Sequence, residues 1–164
     1  MKTVSIPESK EESSPQFERT VFQPARFGFE CAFLQMTPTV GIKIFPTRFN
    51  ANYSITRQRQ AYEKQIAPKV LSEIQMCFIN HEIFKQDTNN LFKRFTTKGT
   101  CGYFYKTQVA QTKIEFGKEY FDAICNLKNI LKRLGMGSKD LHKNNIGRIG
   151  KRWVVIDFGL LSRS

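Results

Sequence analysis

Three polar residues near the C-terminal end of the sequence could do chemistry together: Asp140, Asn145 and Asp157. Asp140 and Asn145 are five apart in Asp140-Leu-His-Lys-Asn-Asn145, and Asp157 follows twelve residues later in Val154-Val-Ile-Asp157-Phe-Gly159. A loop carboxylate can orient or accept the proton of a hydroxyl group. A carboxylate and an amide oxygen suit a hard cation such as Mg²⁺, which takes its remaining oxygens from water and phosphate. Each fragment alone is weak, because Asp and Asn are ordinary turn residues. Their context adds weight. Ile146-Gly-Arg and Trp153-Val-Val-Ile156 read as strands, with Gly147, Gly150 and Lys151 as turn material between them. The plain alternative is an ordinary hairpin with Asp at its ends.

Asp140-Leu-His-x-x-Asn145 followed by Asp157-Phe-Gly159 resembles the protein-kinase-like superfamily. The Asp-Leu-His pattern is closer to atypical kinases and aminoglycoside phosphotransferases than to typical protein kinases, since Ser138-Lys139 stand where those carry His-Arg. The resemblance implies an α+β, protein-kinase-like fold with a β-rich N-lobe and a severely reduced C-lobe ending just after the Asp-Phe-Gly motif. Residues 1–20, rich in Ser, Glu, Lys and Pro without periodicity, are expected to be a flexible tail; the resemblance divides the rest into an N-lobe (21–110) and a minimal C-lobe (111–164) of support helix, catalytic loop and metal-binding hairpin. It implies ATP and Mg as cofactors, Asp140 as catalytic base, and Asn145 and Asp157 as metal ligands.

Upstream elements must bring the remaining groups to these three. Val40-Gly-Ile-Lys43-Ile-Phe45 is an apolar run with one Lys, which alternation turns to the opposite face from Ile42 and Ile44. An exposed Lys on a half-buried strand is the ordinary reading; the resemblance makes Lys43 the contact to the α/β-phosphates. Ser54 to Ile66 reads as a helix ended by Pro68, and its one acid, Glu63, becomes the expected partner of Lys43. The stretch from Lys69 to Ile74 is expected to be the next strand. Tyr103 to Ala110 has aromatic and β-branched strand character, which under the resemblance leaves Val109, Ala110 and Gln111 bordering the adenine. Gly28 stands alone where kinases usually place several phosphate-covering glycines.

Phe116 to Leu134 is the clearest helix, with Tyr120, Ile124, Leu127, Leu131 and Leu134 on one stripe and Gly135 behind it as a cap. It would support the catalytic loop. His142, two residues past Asp140, is read as ordering that loop rather than touching phosphate. Five residues follow Gly159, so the usual platform for a peptide substrate is expected to be replaced by a different docking mode or by a partner.

Composition bounds the rest. A chain of 164 residues can bury a real core, to which fifteen Phe contribute; some of those rings are expected at a partner surface where lower-lobe cover is missing. Cys31, Cys77, Cys101 and Cys125 form no Cys-x-x-Cys pair and read as reduced thiols; Cys77 and His81 could share a helix face, but no second pair completes a zinc site. No apolar run reaches membrane-spanning length, so a cytoplasmic location is expected, in a host's cytoplasm if the source is a virus or phage. In the tail, Ser5, Ser9, Ser13 and Ser14 are candidates for autophosphorylation. The formal net charge is +12, and between Lys128 and Arg152 eight basic residues face Asp140 alone. That potential favours ATP and equally a nucleic acid. Three functions follow: a serine/threonine phosphotransferase acting on protein, a catalytically weak module that modulates a partner protein, or a nucleic-acid-associated protein of the same fold.

Overall fold

The structure, a computed structural model, describes residues 26–27, 30–95, 101–115, 117–139 and 141–158. The tail with its four serines, Gly28, Asp140 and Gly159 lie outside the described residues. The fold is mixed α+β. Its strands are β1 (Arg26–Phe27), β2 (Ala32–Gln35), β3 (Val40–Phe45), β4 (Gln75–Phe78) and β5 (Cys101–Gln108), all antiparallel, in the order β1-β2-β3-β5-β4. A separate hairpin pairs β6 (Ile146–Ile149) with β7 (Arg152–Val155). Between β3 and β4 runs α1 (Arg48–Glu63); short helices α2 (His81–Lys85) and α3 (Leu91–Phe95) precede β5, and α4 (Lys118–Arg133) precedes the hairpin.

Alternation along β3 divides the sheet's two faces. Ile42 and Ile44 enter one cluster with Ala32, Leu34, Leu91 and Phe92. Phe45 enters another with Ala51, Ile55 and Tyr105, and its ring stacks on Tyr105 at 5.8 Å. Lys43 shares this second face, against α1, and is buried. Helix α1 begins earlier than its composition suggests: Thr47 caps it, its hydroxyl accepting from the Asn50 N–H at 3.2 Å.

The strand expected over Lys69–Ile74 is corrected. Val70 makes one bridge to Thr107, and the regular pairing starts only at Gln75. The cause is local. The Lys106 N–H donates to the Ser72 hydroxyl at 2.8 Å, so a side chain interrupts the backbone ladder. Cys77 and His81 share no helix: Cys77 is on β4, packed against the first cluster, and His81 opens α2.

The third and largest cluster joins α4 to the hairpin. Leu127, Leu131, Met136, Leu141, Ile146 and Phe158 pack together, so the end of α4, the loop after it and the hairpin form one unit. Gly135 makes the stop, at φ 66°, while the Met136 N–H returns to the Leu131 carbonyl at 2.9 Å. Among the described residues no helix is long and apolar enough to cross a membrane.

Candidate functional site

The hairpin is tied to the segment after β5 and to the segment after α1, and the cleft lies between hairpin and sheet. Gln111 and Arg148 exchange backbone hydrogen bonds of 2.8 Å each, and the Val155 N–H donates to the Ile66 carbonyl at 2.8 Å. Gly147 permits the first tie. A Cβ there would meet the Ala110 Cβ at 2.9 Å and the Gln111 carbonyl at 3.1 Å.

The resulting cavity holds about 590 Å³. Lys43, Val109, Ala110, Asn145 and Asp157 all line it; Gln111 does not, and lines a second, shallower cavity beside Arg148 and Trp153. From β2, Phe33 and Gln35 face the cleft, as does Cys31 just before that strand, while Ala32 and Leu34 face the core. Chain segments separated by more than a hundred residues thus converge on one volume.

The central contact is Lys43 Nζ donating to the Ile156 carbonyl at 2.6 Å. The Ile156 N–H donates to the Asn145 carbonyl at 2.9 Å. One residue, Ile156, therefore ties Lys43 through its carbonyl and Asn145 through its N–H, and Asp157 is next in sequence. The Phe158 and Tyr105 rings stand 5.7 and 5.9 Å from the same ammonium. Burial holds the Lys43 pKa below the ordinary lysine value, and the Asp157 carboxylate works against that shift. Desolvation of the half-buried Cys31 also pushes its thiol up to about 12, with Asp157 adding to the effect, which disfavours the thiolate at neutral pH.

The expected partner of Lys43 is corrected. Glu63 is exposed at the last residue of α1, and the Lys43 ammonium donates to Gln58 Oε1 at 2.9 Å instead. Helix geometry gives the reason: five residues rotate Glu63 roughly 140° from Gln58, off the face that meets β3. Gln58 is fully buried and uses its whole hydrogen-bonding capacity. Its Oε1 also accepts from the Tyr105 hydroxyl at 2.9 Å; its Nε2 donates to the Pro68 carbonyl at 3.0 Å and to Thr107 Oγ1 at 2.6 Å. Ser54 Oγ lies 2.9 Å from the Tyr105 hydroxyl and completes the chain. A search for acids could not find Gln58. Its signal was a polar residue at i+4 from Ser54, on the face of α1 that also carries Ala51, Ile55 and Ala61.

The loop ahead of the hairpin closes in a 3-10 turn over Lys143–Asn145. His142 Nδ1 accepts from the Asn144 N–H at 3.2 Å, and its Nε2 lies 3.3 Å from Asn145 Nδ2. Both ring nitrogens are engaged within the loop, and His142 is not among the residues lining the cleft, whereas Lys143 is. Among the described residues no group of three His, Cys, Asp or Glu could hold a metal unaided. Asn145 and Asp157 offer two oxygen donors on one cleft wall, which fits a Mg²⁺ that arrives with phosphate oxygens and water.

Five large apolar side chains are exposed among the described residues: Phe49, Leu71, Met76, Phe78 and Phe121. Phe49 is on α1, Leu71 lies between α1 and β4, Met76 and Phe78 are on β4, and Phe121 is on α4. The outer side of α4 is polar, with Asn126, Lys128, Asn129, Lys132 and Arg133 exposed.

Comparison with protein-family models, with curated proteins and with solved structures returned no match.

Proposed function

We propose that this chain is a Mg·ATP-dependent phosphotransferase of the protein-kinase-like type, transferring the γ-phosphoryl group to a serine or threonine hydroxyl of a protein. The observation that carries this reading is the 2.6 Å bond from Lys43 Nζ to the Ile156 carbonyl, which brings a buried cation beside Asp157 in a cleft of nucleotide size. On this reading residues 21–110 are the β-rich N-lobe, and 111–164 carry the support helix, catalytic loop and metal-binding hairpin of the C-lobe. Val109 and Ala110 border the adenine, and Lys43 contacts the α/β-phosphates. Asn145 and Asp157 hold the Mg²⁺, which screens charge on the phosphate oxygens when bound.

Such chemistry asks a protein mainly for positioning and electrostatic stabilisation, which this set of residues can supply. The acceptor oxygen bonds to the γ-phosphorus as the bond to the β–γ bridging oxygen breaks. ADP leaves with that electron pair, and the hydroxyl proton passes to Asp140. Gln58 takes the place that the resemblance gives to an acid, holding Lys43 by a neutral oxygen. The test is Asp140→Ala. Phosphoryl transfer from labelled ATP should fall at least a hundredfold while Mg·ATP binding persists; undiminished transfer would refute the assignment.

One observation favours a second reading, a kinase-like module that binds a partner protein: the exposed Phe49, Met76 and Phe78 beside the sheet. On that reading Asp140→Ala leaves the biological activity intact.

A further inference from the structure

The charge lining the cleft and the charge around it have different uses. Lys43, Lys113 and Lys143 line the cavity against Asp157 alone. Mg·ATP carries about two negative charges, enough to balance that lining. A second group of cations lies outside it. Lys132 and Arg133 occupy the last turn of α4, Lys139 directly precedes Asp140, and all three side chains are exposed. Leu131, Met136 and Leu141 share one core cluster, so this turn and the loop carrying Lys139 are held as one packed surface. Among the described residues none of the three cations has an ion-pair partner. The helix dipole accounts for cations at the end of α4 but not for Lys139 in the loop.

We infer that this surface recognises the acceptor, and that the acceptor is an acidic polypeptide segment with Asp or Glu beside its serine or threonine. The inference rests on the phosphotransferase reading and adds the substrate class. A polypeptide fits better than a single-stranded nucleic acid, which would need free aromatic faces for stacking. Trp153 is flanked by the Arg148 guanidinium at 5.1 Å and the Tyr120 ring at 5.9 Å. The exposed Phe121 sits eleven residues before Lys132, roughly 16 Å away along the helix.

The test uses the full chain with labelled Mg·ATP and three serine peptides, flanked by Glu, by Ala or by Lys, alongside a single-stranded RNA with a free 5′ hydroxyl. The Glu-flanked peptide should be preferred over the Lys-flanked one by at least about tenfold in kcat/KM, and the preference should shrink as salt is raised. In Lys132→Glu/Arg133→Glu/Lys139→Glu the preference should invert while Mg·ATP affinity stays within about twofold, since none of the three lines the cleft. Equal use of all peptides, a preference for Lys flanks, no transfer to any peptide by a chain that binds Mg·ATP, or label on RNA alone would overturn the inference and leave the nucleotide site standing. Absence of Mg·ATP binding would overturn both.

Discussion

Lys43 Nζ donates to Gln58 Oε1 at 2.9 Å, a lysine on a central strand held by a neutral amide on the adjoining helix. The amide is specified by what stands behind it. Gln58 Nε2 donates to the Pro68 carbonyl at 3.0 Å, which a carboxylate cannot do. Gln58→Glu would add an ion pair to Lys43 but set two acceptors against each other in a buried site. A buried ion pair returns little net stability, while a buried unsatisfied acceptor costs ~1–3 kcal/mol. The variant should be destabilised by about that amount in urea unfolding. A gain in stability would show that the Pro68 contact does not matter.

Glu63 supplies the complementary case. It is exposed at the end of α1 and remote in angle from the lysine. Glu63→Gln should change stability by less than about 0.5 kcal/mol and leave Mg·ATP affinity unaltered. A tenfold loss of affinity would restore Glu63 to the site.

The contrast between these two residues marks what the sequence made legible. An apolar stripe identified α4, an apolar run β3, aromatic and β-branched composition β5, and strand-like runs around turn residues the hairpin. Motif spacing indicated Asn145 and Asp157, and alternation turned Lys43 away from Ile42 and Ile44. Gln58 carried no such mark: its role comes from Lys43, Pro68, Tyr105 and Thr107 converging in space. The strand at Gln75–Phe78 was hidden for a similar reason. A single hydroxyl, on Ser72, replaces a backbone partner and delays pairing by several residues.

Cys31 reports on the cleft. Burial raises its thiol pKa from 9.0 to about 12, so well below pH 9 it is protonated in both folded and unfolded chains and contributes no pH dependence. Between 9 and 12 the unfolded thiol ionises first, and stability should fall as pH rises through that window. At pH 8 iodoacetamide should modify the exposed Cys125 well before Cys31. Mg·ATP should slow Cys31 further while leaving Cys125 unchanged. Mass spectrometry of the digested protein reads both rates, and faster modification at Cys31 would contradict the packing described.

Gly147 tests the tie between the hairpin and the segment after β5. A Val there must displace Ala110 or the Gln111 backbone, each within 3.1 Å of the added Cβ. Overpacking of this kind costs ~1–3 kcal/mol. Since Ala110 also lines the cleft, Gly147→Val should lower both the unfolding midpoint and nucleotide affinity. Loss of stability with affinity unchanged would separate the tie from the site.

The most direct measurement is Mg·ATP binding by calorimetry, comparing the wild-type chain with Asp157→Ala. Binding should require Mg²⁺ in the wild type and be lost in the variant, because Asp157 shares the cleft with Lys43 and Asn145. No binding by the wild type at millimolar ATP, or equal binding by the two proteins, would contradict the assignment.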